Sequence, residues 1–420
     1  MRSLPWAATL LVAGCAQLSI APPLMTPKNG GPRWFEVTSA HFVVRSALGA
    51  AAASDLALQL EQIQGAFEDL ISTPDFDAND RIEVVDFARR ADYVEIAKQF
   101  GQPGSAAYFT QGLYDVEPQP TVVLYGELDQ AKREVLQHEM THRFVRLQMI
   151  DPPLWLNEGL AEYNSTLALH DGRAWFGAMP LQNDAPLFRP GGKLGFGRDA
   201  TLRWRSIDDL PTVQWLLTAT PDTFYQHMAD DPDPKQPLAY QGAWLLVNML
   251  KAPNLPYHAR FDRLIALLTQ GVHHDAAFAQ AFAGVSMAEL EQQYRKRAVD
   301  LSAPTTGGDR WTMFLTTAYT PRAAGKVHEA IELSDAQVHL TFLKLRAWRP
   351  PYRDAANAEL MAAEIDSPED PEVHYWHAIY EWRNGAPDKA VTLLREALDG
   401  IPHDAVEPSP REARYRLALY

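Results

Sequence analysis

The sequence His138-Glu139-Met140-Thr141-His142 constrains this chain more than any other feature. On a helix, residues four apart lie on one face, so both imidazoles can reach one metal ion while Glu139 points toward a water molecule bound to it. Neutral imidazole is a good zinc ligand, and a catalytic zinc needs three protein ligands and one open position. The pattern therefore predicts a helix that carries two metal ligands and a carboxylate base.

A second predicted helix supplies candidates for the third ligand. It follows the turn at Pro152 and Pro153 and reads WLNEGLAEY from Trp155. If the chain turns back here, Glu158 lies beside the first helix and completes a site of two histidines and one glutamate. Glu162 lies one turn further on the same face, where a carboxylate can accept the second N–H of a ligand histidine. The alternative for both glutamates is an ordinary solvated helical face.

These two motifs together resemble those of the gluzincin metallopeptidases, the group of thermolysin and aminopeptidase N. The resemblance implies that His138, His142 and Glu158 bind one Zn²⁺ and that the substrate is a peptide or protein. The segment YQGAWLLVNML, which begins at Tyr240, is similar to the tyrosine-led helix of the aminopeptidase N-like enzymes, with one residue fewer between Tyr and Gly. By this resemblance the hydroxyl of Tyr240 stabilises the oxyanion. A tyrosine that packs at the start of a helix is the alternative.

The wider pattern resembles the peptidase MA-like domains of bacterial envelope proteins and covers residues 33–300. It implies an α+β fold with a mixed α/β lobe over 33–127 and a helical zinc lobe over 128–300. Aminopeptidase N-like enzymes carry a Gly-x-Met-Glu-Asn segment that holds the free amine of the substrate. This chain has GSAAYF at residues 104–109 instead, so exopeptidase action has no support in the sequence.

Hydrophobic patterning is consistent with this division. Alternating β-branched and aromatic residues predict a strand or hairpin over 34–46 and strands over 81–87 and 121–125. We expect the last of these to be an edge strand that pairs with an extended substrate. Apolar residues spaced by three and four predict helices, and these cover residues 53–70, 91–100, 135–149, 155–169, 206–217, 239–250, 261–269 and 287–299.

The C-terminal region, residues 310–420, is predicted as an all-α module of helical repeats. Residues 371–402 resemble one tetratricopeptide (TPR) unit, and helices predicted over 335–348, 352–365 and 411–420 supply its stacking neighbours. The resemblance implies a surface that binds a protein partner. A plain helical bundle is the alternative.

The N-terminus carries a short apolar run, LPWAATLLVA, followed by Gly14 and Cys15. The run is too short to cross a membrane, and LVAGC resembles a bacterial lipoprotein box. The resemblance implies that residues 1–15 are a signal peptide ending in a lipidated Cys15, that residues 16–32 are a tether, and that the lipid is the only membrane attachment. Ala16, in place of an aspartate, implies the outer membrane with the protein facing the periplasm. A buried helix with a chance cysteine is the alternative.

Composition excludes several other functions. Clustered Lys and Arg are needed to bind nucleic acid, whereas this chain has a net charge of −15. Its single cysteine excludes an intramolecular disulfide.

Two weaker features of the sequence have two interpretations each. The sequence His273-His274-Asp275 is either a metal site or a solvated loop, and Arg143 and Arg146 are either ligands for a substrate carboxylate or surface charges.

Two functions follow from these patterns. The first is zinc-dependent hydrolysis of peptide bonds, in which the metal lowers the pKa of its water from about 16 toward about 7 and Glu139 passes the proton to the leaving amine. The rival is a catalytically silent, peptidase-like scaffold whose TPR-like repeats bind a protein partner. The complete set of His138, Glu139, His142 and Glu158 favours the enzyme.

Overall fold

The computed structural model describes residues 24–71, 81–100, 107–110, 120–170, 172–178, 210–225, 239–302, 315–321, 326–346, 352–401 and 418. These residues form an α+β fold, which confirms the predicted class. Within them, no helix has the length and apolar character needed to cross a membrane. The predicted signal peptide with Cys15, and all of the predicted helix over 411–420 except Ala418, lie outside the described residues.

Strands form two sheets in the described part of the chain. In chain order they are β1 (Phe35–Thr38), β2 (Phe42–Ser46), β3 (Ile82–Phe87), β4 (Ala107–Thr110), β5 (Thr121–Tyr125), β6 (Ala168–His170), β7 (Arg173–Phe176), β8 (Leu315–Ala318) and β9 (Ile331–Glu332). The large sheet has the order β4-β5-β3-β2-β1-β9, and the small sheet has the order β6-β7-β8. Strands β2, β3 and β5 run parallel to one another, and the remaining pairs are antiparallel.

Helices make up most of the remaining structure. They are α1 (Ala50–Ile71), α2 (Arg90–Ala97), α3 (Gln130–Gln148), α4 (Leu154–Ser165), α5 (Val213–Thr218), α6 (Pro221–Tyr225), α7 (Ala239–Lys251), α8 (His258–Thr269), α9 (His274–Ala281), α10 (Met287–Ser302), α11 (Asp335–Leu345), α12 (Arg353–Asp366), α13 (Pro371–Arg383) and α14 (Pro387–Asp399). Most predicted helices are confirmed with bounds that shift by a few residues.

Two helices differ from their predicted bounds for local reasons. Helix α3 begins earlier than predicted because the side chain of Asp129 caps it and accepts a hydrogen bond from the backbone N–H of Lys132. Helix α4 ends at Ser165, before the predicted end, and the chain continues into the hairpin of β6 and β7.

The predicted edge strand is an interior strand. β5 pairs with β3 on one side and with β4 on the other, so the prediction that residues 121–125 form an edge is wrong. The short strand β4 was not predicted from the sequence, and it takes the outer position. In the described part of the chain, β4 has no partner on its far side.

Both faces of the large sheet are covered. Strand β3 is buried at every position, as expected for a strand between two layers. One face packs on α1 and α3, where the rings of Phe67 and Phe144 are 5.4 Å apart. The other face packs on α2 and α11, where Trp34 and Phe342 have ring centroids 5.6 Å apart. Helix α3 is therefore held against the sheet along its length.

The C-terminal helices are tied to both sheets. Helices α11 to α14 share a core that includes Tyr375 and Trp376. The segment that precedes them adds β8 to the small sheet and β9 to the large one. Nζ of Lys344 on α11 also lies 3.2 Å from Oε1 of Glu83 on β3, with both side chains about nine-tenths buried. This region therefore adds one strand to each sheet, and the prediction of an all-α module over 310–420 is wrong for the residues that precede α11.

Candidate metal centre

Helix α3 presents two faces of different chemistry. Apolar residues at spacings of four lie in the core beneath the large sheet, namely Leu136, Met140 and Phe144. A second set follows the same spacing but is displaced by two residues, which places it on the opposite side of the helix. This second set, His138, His142 and Arg146, lines a cavity.

Three possible ligand atoms meet at the cavity. Nε2 of His138 and Nε2 of His142 are 3.1 Å apart. Oε2 of Glu158 on α4 lies 3.5 Å from the first nitrogen and 3.4 Å from the second. The described residues thus bring together the three side chains that the sequence predicts as metal ligands.

The geometry and chemistry of this triangle fit a zinc ion. A tetrahedral zinc about 2.0–2.2 Å from each ligand holds the ligand atoms about 3.3–3.6 Å apart, close to the spacings observed. Oε2 of Glu158 is buried and has no hydrogen-bond partner within the described residues. A positive charge beside a buried carboxylate oxygen offsets the cost of burying it, and a metal ion in the triangle would supply that charge. Two imidazoles and one carboxylate are also the ligand set of one class of catalytic zinc site.

Neighbouring side chains contact both histidines on the side away from the triangle. Nδ1 of His142 donates a hydrogen bond of 3.0 Å to Oδ1 of Asn157, so the lone pair of Nε2 points into the triangle. Nδ1 of His138 lies 3.5 Å from Oε1 of Glu162. Glu162 therefore occupies the position that the sequence predicts for a carboxylate behind a ligand histidine.

The protonation equilibria reflect this cluster of carboxylates. Burial lowers the pKa of His138, but the close approach of Glu158 and the charges of Glu162 and Glu139 outweigh it and raise the pKa to about 9. Burial raises the pKa of Glu158, and the close approach and charges of His138 and His142 reverse this effect, so the net shift is downward. The site therefore stabilises a positive charge at the imidazoles next to an ionised Glu158.

The cavity beside the triangle has a volume of about 350 Å³. It contains the remaining predicted functional groups, because Glu139 and Tyr240 both line it. The ring of Tyr240, at the start of α7, has its centroid 6.4 Å from that of His138. Burial and the nearby carboxylates, Glu158 first among them, raise the pKa of Tyr240, so its hydroxyl stays protonated near neutral pH.

A close approach of two helices fixes the position of Glu158. Its neighbour Gly159 faces α7, and a Cβ atom at this position would lie 2.6 Å from the carbonyl oxygen of Ala243 and 2.7 Å from Cγ2 of Val247. Only glycine allows this separation of the two backbones. The glycine of the WLNEG motif therefore sets the distance between the helix that carries Glu158 and the helix that carries Tyr240.

Two polar contacts of the site were missed by sequence reasoning. Tyr225, at the end of α6, donates a hydrogen bond of 2.6 Å to Oε1 of Glu158, and Asn157 orients His142. Asn157 could have been found, since it directly precedes a predicted ligand on the same helix. Tyr225 is remote in sequence from both motifs and lies on a short helix without a distinctive pattern.

The weaker candidates lie apart from the triangle. His273, His274 and Asp275 form a separate group at the start of α9, and their side chains are partly to largely exposed. Arg143 does not line the cavity, and its charge acts on His41. Arg146 does line the cavity.

Comparison with known proteins adds no relative. No protein-family model matches this sequence, and no curated protein matches it significantly.

Proposed function

We propose that this protein is a zinc-dependent metallopeptidase that hydrolyses peptide bonds. The observation that carries the proposal is the triangle of His138, His142 and Glu158, whose ligand atoms lie 3.1–3.5 Å apart at a cavity that Glu139 also lines. When bound, zinc would polarise the substrate carbonyl and lower the pKa of a water molecule toward about 7.

The other side chains of the cavity have distinct roles in this proposal. The carboxylate of Glu139 accepts a proton from the attacking water and delivers it to the nitrogen of the leaving amine. The protonated hydroxyl of Tyr240 donates a hydrogen bond to the oxyanion that forms on the carbonyl. The edge of β4 that has no partner within the described residues is the best candidate to pair with an extended peptide, because β5 is already paired on both sides.

The proposal includes a location and a partner surface that follow from the sequence patterns. Lipid on Cys15 would attach the protein to the outer membrane of a bacterial envelope, with the peptidase in the periplasm. The TPR-like helices α11 to α14 would bind a protein partner. The exposed Trp382 on α13, 63% accessible, is the largest exposed apolar side chain within the described part of this module.

Metal content and turnover test the proposed activity together. We expect the chain from Ala16 onward to hold about one zinc ion, measured by elemental analysis, and His142→Ala to lose it. Glu139→Gln should keep the zinc and reduce peptide-library cleavage about 10²- to 10⁴-fold, since only the base is removed. Glu329→Gln, which changes an exposed glutamate outside the site, is the matched control.

The possible outcomes separate the enzyme from the rival scaffold. Absence of zinc after gentle purification and zinc addition would overturn the enzymatic proposal. Zinc binding without cleavage of any library member, together with cellular function that survives Glu139→Gln, would instead support the catalytically silent scaffold.

A further inference from the structure

We propose that Arg146 binds a carboxylate of the peptide substrate close to the scissile bond, so that the site selects peptides with a negative charge at that position. The inference rests on the proposed peptidase function and specifies its substrate class. The carboxylate has two possible sources, the free C-terminus of the substrate or an internal acidic side chain.

The position of Arg146 is the first argument. It lies one helical turn beyond His142 on α3, on the face that carries both histidines, and it lines the same cavity. Four residues of helix span about 6 Å, which equals about two residues of extended peptide. A peptide bond held at the triangle would therefore place a neighbouring residue, or the chain terminus, beside Arg146.

The second argument is that Arg146 has no hydrogen-bond or ion-pair partner among the described residues. Within the described residues, Arg146 makes no hydrogen bond or ion pair, although two carboxylates line the same cavity. Oε1 of Glu158 accepts from Tyr225 and Oε2 faces the histidines, so this carboxylate is already engaged. A guanidinium offers a planar set of N–H donors that matches a carboxylate with two parallel hydrogen bonds.

The charge balance of the cavity is the third argument. Of the described residues that line it, Arg146 is the only lysine or arginine, and the acidic side chains are Glu139 and Glu158. A cation in the last turn also stabilises the C-terminus of a helix, but that role is independent of what the cavity binds.

Three peptide hydroxamates of identical backbone provide the test. The hydroxamate anchors each ligand to zinc, and the three differ only in charge. The neutral ligand ends in asparagine carboxamide, the second ends in asparagine with a free carboxylate, and the third ends in aspartate carboxamide. Dissociation constants are measured by calorimetry on the zinc-loaded chain, so the readout is binding. The variants are Arg146→Gln and Arg146→Lys. The control is Arg263→Gln, which removes an exposed charge on α8.

The expected result is a charge preference that depends on Arg146. The original chain and Arg263→Gln should bind one of the two anionic ligands about tenfold more tightly than the neutral one, as expected for a charge-assisted contact. Arg146→Gln should bring that ratio close to one without weakening the neutral ligand, and Arg146→Lys should keep part of it. Preference for the carboxylate-ended ligand identifies the C-terminus, and preference for the aspartyl ligand identifies an acidic side chain.

Two other results would overturn the inference in distinguishable ways. If the original chain binds all three hydroxamates within twofold, or if Arg146→Gln keeps the preference, Arg146 has no such role while the peptidase proposal stands. If the neutral ligand does not bind and the chain contains no zinc, the proposed function fails and the inference fails with it.

Discussion

The phenolic hydroxyl of Tyr225 donates a hydrogen bond of 2.6 Å to Oε1 of Glu158, while Oε2 of the same carboxylate faces His138 and His142. The two oxygens of one side chain thus serve two purposes. Burial and the charge of Glu158 raise the pKa of Tyr225, so the hydroxyl remains a donor. Tyr225 thereby holds the carboxylate plane in the orientation that directs its second oxygen at the histidines.

Replacing Tyr225 by Phe should weaken zinc binding without unfolding the protein. The change removes the hydrogen bond to Glu158 and leaves the ring in place, and loss of such an orienting contact typically costs about 10- to 100-fold in metal affinity. Competition with a chelator measures the effect. Tyr257→Phe is the matched control, because Tyr257 donates to Glu289 at 3.1 Å outside the cavity. Equal zinc affinity in both variants would contradict the role of Tyr225.

Replacing Glu162 by Gln should also reduce zinc affinity, by about tenfold. The substitution keeps the shape of the side chain but removes the charge 3.5 Å from Nδ1 of His138, which makes the imidazole a weaker base. Glu364→Gln provides the comparison, since Glu364 lies 3.3 Å from Nδ1 of His377 in the C-terminal helices. A loss of zinc affinity that is the same in both variants would argue against a specific effect at the metal centre.

Replacing Gly159 by Ala should destabilise the protein by about 1–3 kcal/mol, because the new Cβ would meet the backbone of α7. The opposite result is expected for Gly65→Ala. Gly65 lies inside α1, and a Cβ atom added to it would meet no neighbouring side chain or other element within 4 Å, so alanine should stabilise that helix by up to about 1 kcal/mol. Chemical denaturation of both variants gives the two free energies of unfolding, and a neutral Gly159→Ala would refute the close helix approach.

The buried carboxyl of Asp86 should make stability depend on pH. Burial raises the pKa of Asp86 to about 7, against the effects of the hydrogen bond from Ser46 and the charge of Lys132. Because this value lies above about 3.9, the usual value in an unfolded chain, the stabilising contribution is complete below about pH 4 and is lost as the pH rises through 7. The free energy of unfolding should therefore fall by up to about 1.4 kcal/mol per pH unit in that window.

Asp86→Asn tests this dependence. The variant should lack that part of the pH slope and be more stable than the original chain at pH 8, as measured by denaturation at pH 5 and pH 8. Asp399→Asn, at an exposed position on α14, should leave the slope unchanged. An identical slope in Asp86→Asn would show that this carboxyl is ionised in the folded protein.

A chain that ends at Ser302 should not fold stably. Such a truncation removes β8 and β9 from the two sheets. It also removes Phe342 and thereby uncovers Trp34 and Phe87 on the large sheet. We expect aggregation or a melting temperature well below that of the full chain. A truncation therefore cannot separate peptidase function from partner binding, and Trp382→Ala is the better variant for the repeat surface. A soluble, zinc-binding fragment 16–302 would contradict this expectation.

Local patterns predicted the elements of this fold well. The apolar spacing in α1 and the β-branched run in β5 gave bounds close to those observed, because burial on one helical face or inside a sheet imposes a period on the sequence. The candidate ligands His138, His142 and Glu158 were identifiable for a related reason. Two helices joined by a short turn must pack side by side, so their motifs meet in space.

Features set by distant packing could not be predicted in this way. Strand β4 has only Ala107–Thr110, too few residues to show a period, and its presence moves β5 from the edge to the interior. Strand β9 has two residues and is defined by its partner β1. Tyr225 lies 67 residues from Glu158 in the sequence, so no local signal predicts their contact.

The pairing of β1 with β9 also limits when the large sheet can form during synthesis of the chain. Phe35 lies opposite Glu332, so β1 is synthesised long before the strand that pairs with it. Until then the side of β1 that β9 will cover offers unpaired backbone groups to any other extended chain. Pairings of such large sequence separation form slowly. A nascent chain of this protein is therefore expected to depend on chaperones until residue 332 has emerged.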